Sequence, residues 1–125
     1  MTTDEKPYDI EMEDRGEYLW VLVGGPKLTA QIASQYWREI AEKCFELDRM
    51  KIMIEKDFVE PVRPAEMIQM AAYVGELLPT RKIAFLDRRA HDSINELGKK
   101  LARNRDVMMQ IFHNTADAEK WLHAN

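Results

Sequence analysis

Tyr18-Leu19-Trp20-Val21-Leu22-Val23-Gly24-Gly25-Pro26 decides the fold. Six consecutive apolar residues, rich in β-branched and aromatic side chains, read as a strand with both faces buried. The two glycines and the proline are turn formers and predict its end. Upstream, Tyr8 to Asp14 alternates: Tyr8, Ile10 and Met12 fall on one side, Asp9, Glu11 and Glu13 on the other. That is a half-buried strand. Asp14-Arg15-Gly16-Glu17 supplies turn residues between the two, so the pair reads as an antiparallel hairpin.

Downstream the period changes to that of a helix. Thr29 is the expected N-cap of a helix to about Leu47, with Ile32, Tyr36, Trp37, Ile40, Ala41 and Cys44 as its apolar stripe. Lys51 to Phe58 reads as a strand and Val59 to Arg63 as a loop. A second helix starts at Pro64, where a missing amide proton costs nothing, and turns Met67, Ile68, Ala71, Val74 and Leu78 inward. Lys82 to Leu86 is a further strand. A helix from about His91 to Asn104 points Ile94, Leu97 and Leu101 inward. Met108 to Phe112 is the last strand, and Asn114 with Asp117 starts a short helix that buries Ala118, Trp121 and Leu122.

The order is β-β-α-β-α-β-α-β-α. Strands alternating with helices predict an α/β fold: a mostly parallel sheet of about five strands whose N-terminal strand is antiparallel. The chain has 125 residues, the size of one domain. Residues 1–7 read as a flexible tail and 8–125 as a single domain with no internal boundary.

Composition narrows the function. Apolar residues make up 46% of the chain, enough for a core. The net charge of -4 makes it a poor nucleic-acid binder, since phosphate contacts need surplus positive charge. The single cysteine, Cys44, can form neither an internal disulfide nor a zinc site alone. No apolar run is long enough to span a membrane, and the first residues lack the pattern of a secretory signal, so a cytoplasmic location is expected. Acidic residues crowd the start (Asp4, Glu5, Asp9, Glu11, Glu13), while Arg81, Lys82, Arg88, Arg89, Lys99 and Lys100 make the later half basic. A dipolar surface of this kind can steer association, including self-association.

The segments YLWVLVGG, KIMIEKDF, KIAFLD and MQIFHNTADAEKWL, in this order, resemble SpoIIAA-like proteins, small relatives of the STAS domain of anti-sigma factor antagonists. The closing pattern is most similar to the subgroup without assigned function. The resemblance covers Tyr8 to Leu122. It implies a curved sheet with helices mainly on one side, in a fold related to the lipid-binding Sec14 domain. Anti-sigma antagonists carry a phosphorylatable serine at the start of their second helix. Here Lys56 to Ala65 contains Asp57 but no serine or threonine, so the phosphoswitch should be absent.

Chemistry-bearing residues are few. Gly24-Gly25-Pro26-Lys27 has neither phosphate-loop spacing, so a tight connection is the plainer reading. Asp57, Asp87 and His91 fall at carboxyl ends of strands, where α/β sites gather, and could face one another as an acid-base or Mg²⁺ site; ordinary loop and cap roles are the preferred reading. His91, His113 and His123 have no metal-ligand spacing. No metal, cofactor or enzymatic activity is expected. Strand parity puts Ile52, Ile54, Ile83, Phe85, Met109 and Ile111 on one sheet face. It leaves Trp20, Met53, Ala84, Leu86 and Phe112, with Tyr18 or Leu22, on the other. That second face needs a cover: part of the last helix, a second copy of the chain, or an apolar ligand. Two functions follow as expectations. The first is a non-enzymatic interaction or regulatory domain with a protein partner, including itself as a homodimer. The alternative is a carrier of a small apolar or lipid-like ligand on the second face, with Trp20, Met53, Leu86 and Phe112 as the contact residues.

Overall fold

A computed structural model describes residues 6–124. Among the described residues five strands form one sheet in sequential order: β1 (Asp9–Asp14), β2 (Leu19–Lys27), β3 (Lys51–Glu60), β4 (Lys82–Asp87) and β5 (Met108–Phe112). β1 pairs antiparallel with β2, and the other pairs are parallel. Four helices follow the last four strands: α1 (Ala30–Leu47), α2 (Pro64–Leu77), α3 (Asp92–Arg103) and α4 (Thr115–His123). The expected α/β class, element order and antiparallel first strand are all present. Of the expected tail, residues 1–5 lie outside the described residues, as does Asn125; Lys6 binds α1 through a 2.8 Å ion pair with Glu39.

The local signals act as read. Gly16 takes the left-handed conformation (φ 91°) that closes the hairpin turn, where its amide donates to Asp14 Oδ1 at 3.1 Å. Thr29 accepts from the Ile32 amide at 3.1 Å, and Asn114 accepts from the Asp117 amide at 2.8 Å, so both N-caps are made.

Gly24-Gly25-Pro26 departs from expectation. These residues continue β2 to Lys27 rather than ending it, with Gly24 opposite Asp57 and Lys27 opposite Glu60. A Cβ on Gly24 would sit 2.5 Å from the Asp57 carbonyl oxygen. The glycine therefore serves close approach of two strands, and no phosphate-type loop exists there. β3 likewise runs on through Val59 and Glu60, which read as loop.

Sequential strand order explains the layers. Crossovers between parallel strands share one hand as a rule, and here each steps the same way across the sheet, which accounts for α1, α2 and α3 sharing one face. Under them lies the main core: Leu19, Val21, Ile52, Ile54 and Ile83 from the sheet, Tyr36, Trp37 and Ile40 from α1. α4 follows the edge strand and folds back over the opposite face. There Ala118 and Leu122 pack on Tyr18, Met53, Ala84 and Leu86. The second face thus has a cover over β3 and β4, supplied by the chain's own last helix. No helix is long and apolar enough to cross a membrane among the described residues.

Candidate functional site

The four residues expected as a ligand or partner face divide. Met53 (0% exposed) and Leu86 (7%) are core beneath α4, so they are not available to a ligand or partner. Trp20 and Phe112 are half-buried at its margins. The Trp20 indole Nε1 donates to Glu55 Oε2 at 2.6 Å, and the Arg15 guanidinium lies 4.6 Å over its ring. Phe112 rests on Trp121, with ring centroids 5.5 Å apart. Tyr18 is buried on this face, and Leu22 is half-buried beyond the helix.

The carboxyl-edge candidates do not converge. Asp87 shares a register step with Lys56, so it and its neighbour's Asp57 project from opposite faces of the sheet. Asp87 serves the start of α3: it accepts from the Arg89 amide at 2.9 Å, the His91 amide at 3.3 Å and Asn95 Nδ2 at 2.9 Å. Asp57 pairs with Arg89 at 2.8 Å. The His91 ring donates from Nε2 to the Phe58 carbonyl at 3.1 Å. Each has a structural partner. Among the described residues no three His, Cys, Asp or Glu side chains are grouped to hold a metal ion.

A different constellation lies on the helix-covered face. Beneath α1, α2 and α3 is a cavity of about 40 Å³, bounded by Trp37, Met67, Met70, Val74 and Phe85 among others. Three polar side chains also line it: Tyr36, Lys56 and Asn95. Lys56 is 6% exposed, with Nζ 4.9 Å from the Phe85 ring centre. Burial lowers its pKa from 10.5 to about 8, against the opposing pull of Asp87. Among the described residues neither Tyr36 Oη nor Asn95 Oδ1, both buried, has a hydrogen-bond partner. Burial likewise raises the Tyr36 phenol above its ordinary range.

Outside this cavity, α1 and α2 diverge into a surface cleft of about 330 Å³. Ala30, Ala33 and Ser34 leave it open on the α1 side, while Gln69 and Tyr73 wall it on α2. Trp37 and Met70 line both cleft and cavity.

Sequence reasoning missed this site, although one signal was present. Ile52, Ile54, Lys56 and Phe58 share strand parity, so Lys56 is a charge at a core position. Asn95 was hidden because the expected inward face of α3 is rotated. Asn95, Gly98 and Ala102 are buried, and Ile94, Leu97 and Leu101 pack at the flanks.

Cys44 is fully buried, and desolvation pushes its thiol up to about 11 despite the nearby Arg81. A thiol reagent at neutral pH is therefore expected to label the native protein orders of magnitude more slowly than the urea-unfolded chain. Equal rates in the two states would show Cys44 to be accessible.

No family model matches the chain, and no curated protein matches it either. Among solved structures it is similar to an uncharacterised protein from the DUF3478 family of Shewanella loihica PV-4, described as having a SpoIIAA-like fold. The TM-score is 0.56 at 13% sequence identity, covering 98% of each chain. With that match spanning all the elements above, the chain has a SpoIIAA-like fold.

Proposed function

We propose that this protein is a non-enzymatic binding domain that takes a small, largely apolar molecule into the cleft between α1 and α2. The observation that carries this reading is the wall that cleft and cavity share, Trp37 and Met70. The cleft is at the lower end of the size of small-molecule sites, and its inner wall is aromatic and thioether. Methionine re-packs at low cost, so Met70 can swing to join the two spaces. The ligand site is thus on the helix-covered face, and α4 occupies the place where a carrier on the opposite face would have held its cargo.

The domain has no hydroxyl residue between Lys56 and Ala65 and so operates without the serine switch of the antagonists it resembles. A second reading, a protein-interaction domain, is favoured by Phe45, Met50 and Met108. They are exposed at 68%, 48% and 55% near the amino-terminal end of the parallel strands.

Calorimetric titration with 1-octanol tests the cleft. Wild type is expected to bind, and Ser34→Trp, which fills the cleft from α1, to bind at least about tenfold more weakly. Absence of binding to wild type, or equal affinity in the two proteins, would overturn the cleft reading.

A further inference from the structure

Two unpartnered polar atoms, Tyr36 Oη and Asn95 Oδ1, belong to residues that line one small cavity and call for an explanation, because more than about nine in ten buried polar groups in folded proteins are bonded. We propose that the inner cavity recognises a single uncharged hydroxyl group at the end of an apolar ligand, held by Lys56, Tyr36 and Asn95. This rests on the cleft reading above and gives its ligand a chemical class.

The donor and acceptor inventory selects the group. The Asn95 amide is oriented by its Nδ2, which donates to Asp87 Oδ2 at 2.9 Å, so Oδ1 is a fixed acceptor. Tyr36 Oη is a free donor. The Lys56 ammonium adds further donors. A hydroxyl oxygen has two lone pairs, for Lys56 and Tyr36, and one proton, for Asn95. A carboxylate would set a negative oxygen against Asn95 Oδ1. It would also add a charge where Asp87, beside Lys56 in the strand register, already supplies one. The rest of the wall is apolar: Met67, Met70, Ala71, Val74 and Phe85. A cavity of about 40 Å³ holds little beyond the head group itself. The chain of the ligand would therefore pass between Trp37 and Met70 into the cleft. Water carries the same hydrogen-bonding groups, and the experiment separates the two sources.

Three probes of similar size are titrated: 1-octanol, methyl heptyl ether, which accepts but cannot donate, and octanoate. Wild type is expected to prefer the alcohol by about tenfold or more, since a site built around a hydroxyl leaves its acceptor unpaired with either of the others. Tyr36→Phe should erase most of that preference while the ether still binds. Gly98→Ala provides a second route: it adds a methyl group at the cavity lining, 3.1 Å from Met67 Sδ, so the cavity wall must re-pack and the preference should fall as well. Equal binding of alcohol and ether by wild type would show that water keeps the polar seat, and overturn the inference while leaving the cleft reading standing. Tightest binding of octanoate would overturn the uncharged head group. Failure of all three probes to bind would remove the cleft reading and this one with it.

Discussion

Lys56→Met is expected to raise stability at neutral pH by up to about 3 kcal/mol, and the gain should vanish as pH rises past 10. Burial depresses the Lys56 pKa from 10.5 to about 8. Between those values the unfolded chain binds more protons than the native protein, so wild-type stability rises with pH through that window. Below the folded value the full penalty applies. At about 1.4 kcal/mol per pKa unit, the shift corresponds to about 3 kcal/mol. Methionine matches the length of the lysine stem and carries no proton to lose. Asp87 keeps its bonds from Asn95 and from the amides of Arg89 and His91, so no carboxylate is orphaned. Urea unfolding of both proteins at pH 7 and pH 10.5 reads the difference. A variant less stable than wild type at pH 7 would show that the attraction to Asp87 outweighs the cost of burial.

The same lysine marks how far the sequence could be read. Alternation in Tyr8–Asp14, the turn at Gly16 and the caps Thr29 and Asn114 are local signals, and each acts locally in the structure. The order of elements followed from them. Strand order did not, because hydrophobic period reports which residues are buried and not which strand lies next to which. A sheet that grows in two directions would carry crossover helices on both faces; this one grows in one direction, from β1 to β5, and gathers three helices on one face. For that reason the sequence does not choose between helix, partner and ligand as the cover of Met53 and Leu86. The site was hidden by a finer effect. Asn95, Gly98 and Ala102 are a polar residue and two small ones, which no apolar stripe marks, yet they sit over the sheet because larger side chains flank them. A cavity forms where small residues meet, and apolar periodicity does not record it.

Leu122→Ala is expected to cost 2–5 kcal/mol, the usual range for truncating a fully buried leucine. Leu122 is 0% exposed and packs with Tyr18, Met53, Ala84, Leu86 and Ala118, the buried cluster of the second face among the described residues. The other holds on α4 are polar or marginal: Trp121 lies against Phe112 with ring centroids 5.5 Å apart, and His123 Nδ1 is 3.1 Å from Glu17 Oε1. Its residue Glu119 accepts from Tyr18 Oη at 2.8 Å. Lys82 Nζ donates to the Trp121 and Ala124 carbonyls, each at 2.7 Å, at the end where a helix dipole favours a cation. With nine residues α4 is too short to persist once undocked. Losing its leucine anchor should therefore both destabilise the fold and raise the opening rate of the helix. Urea unfolding gives the first, and amide exchange in 115–123 against that in β3 gives the second. Phe112→Asp makes the contrast: Phe112 is only half-buried, on the edge strand, so its charge can reach water and its cost should be smaller. If Leu122→Ala cost less than Phe112→Asp, α4 would be a loose flap. Met53 and Leu86 would then be reachable, and a second copy of the chain or an apolar ligand would again be the occupant of that face.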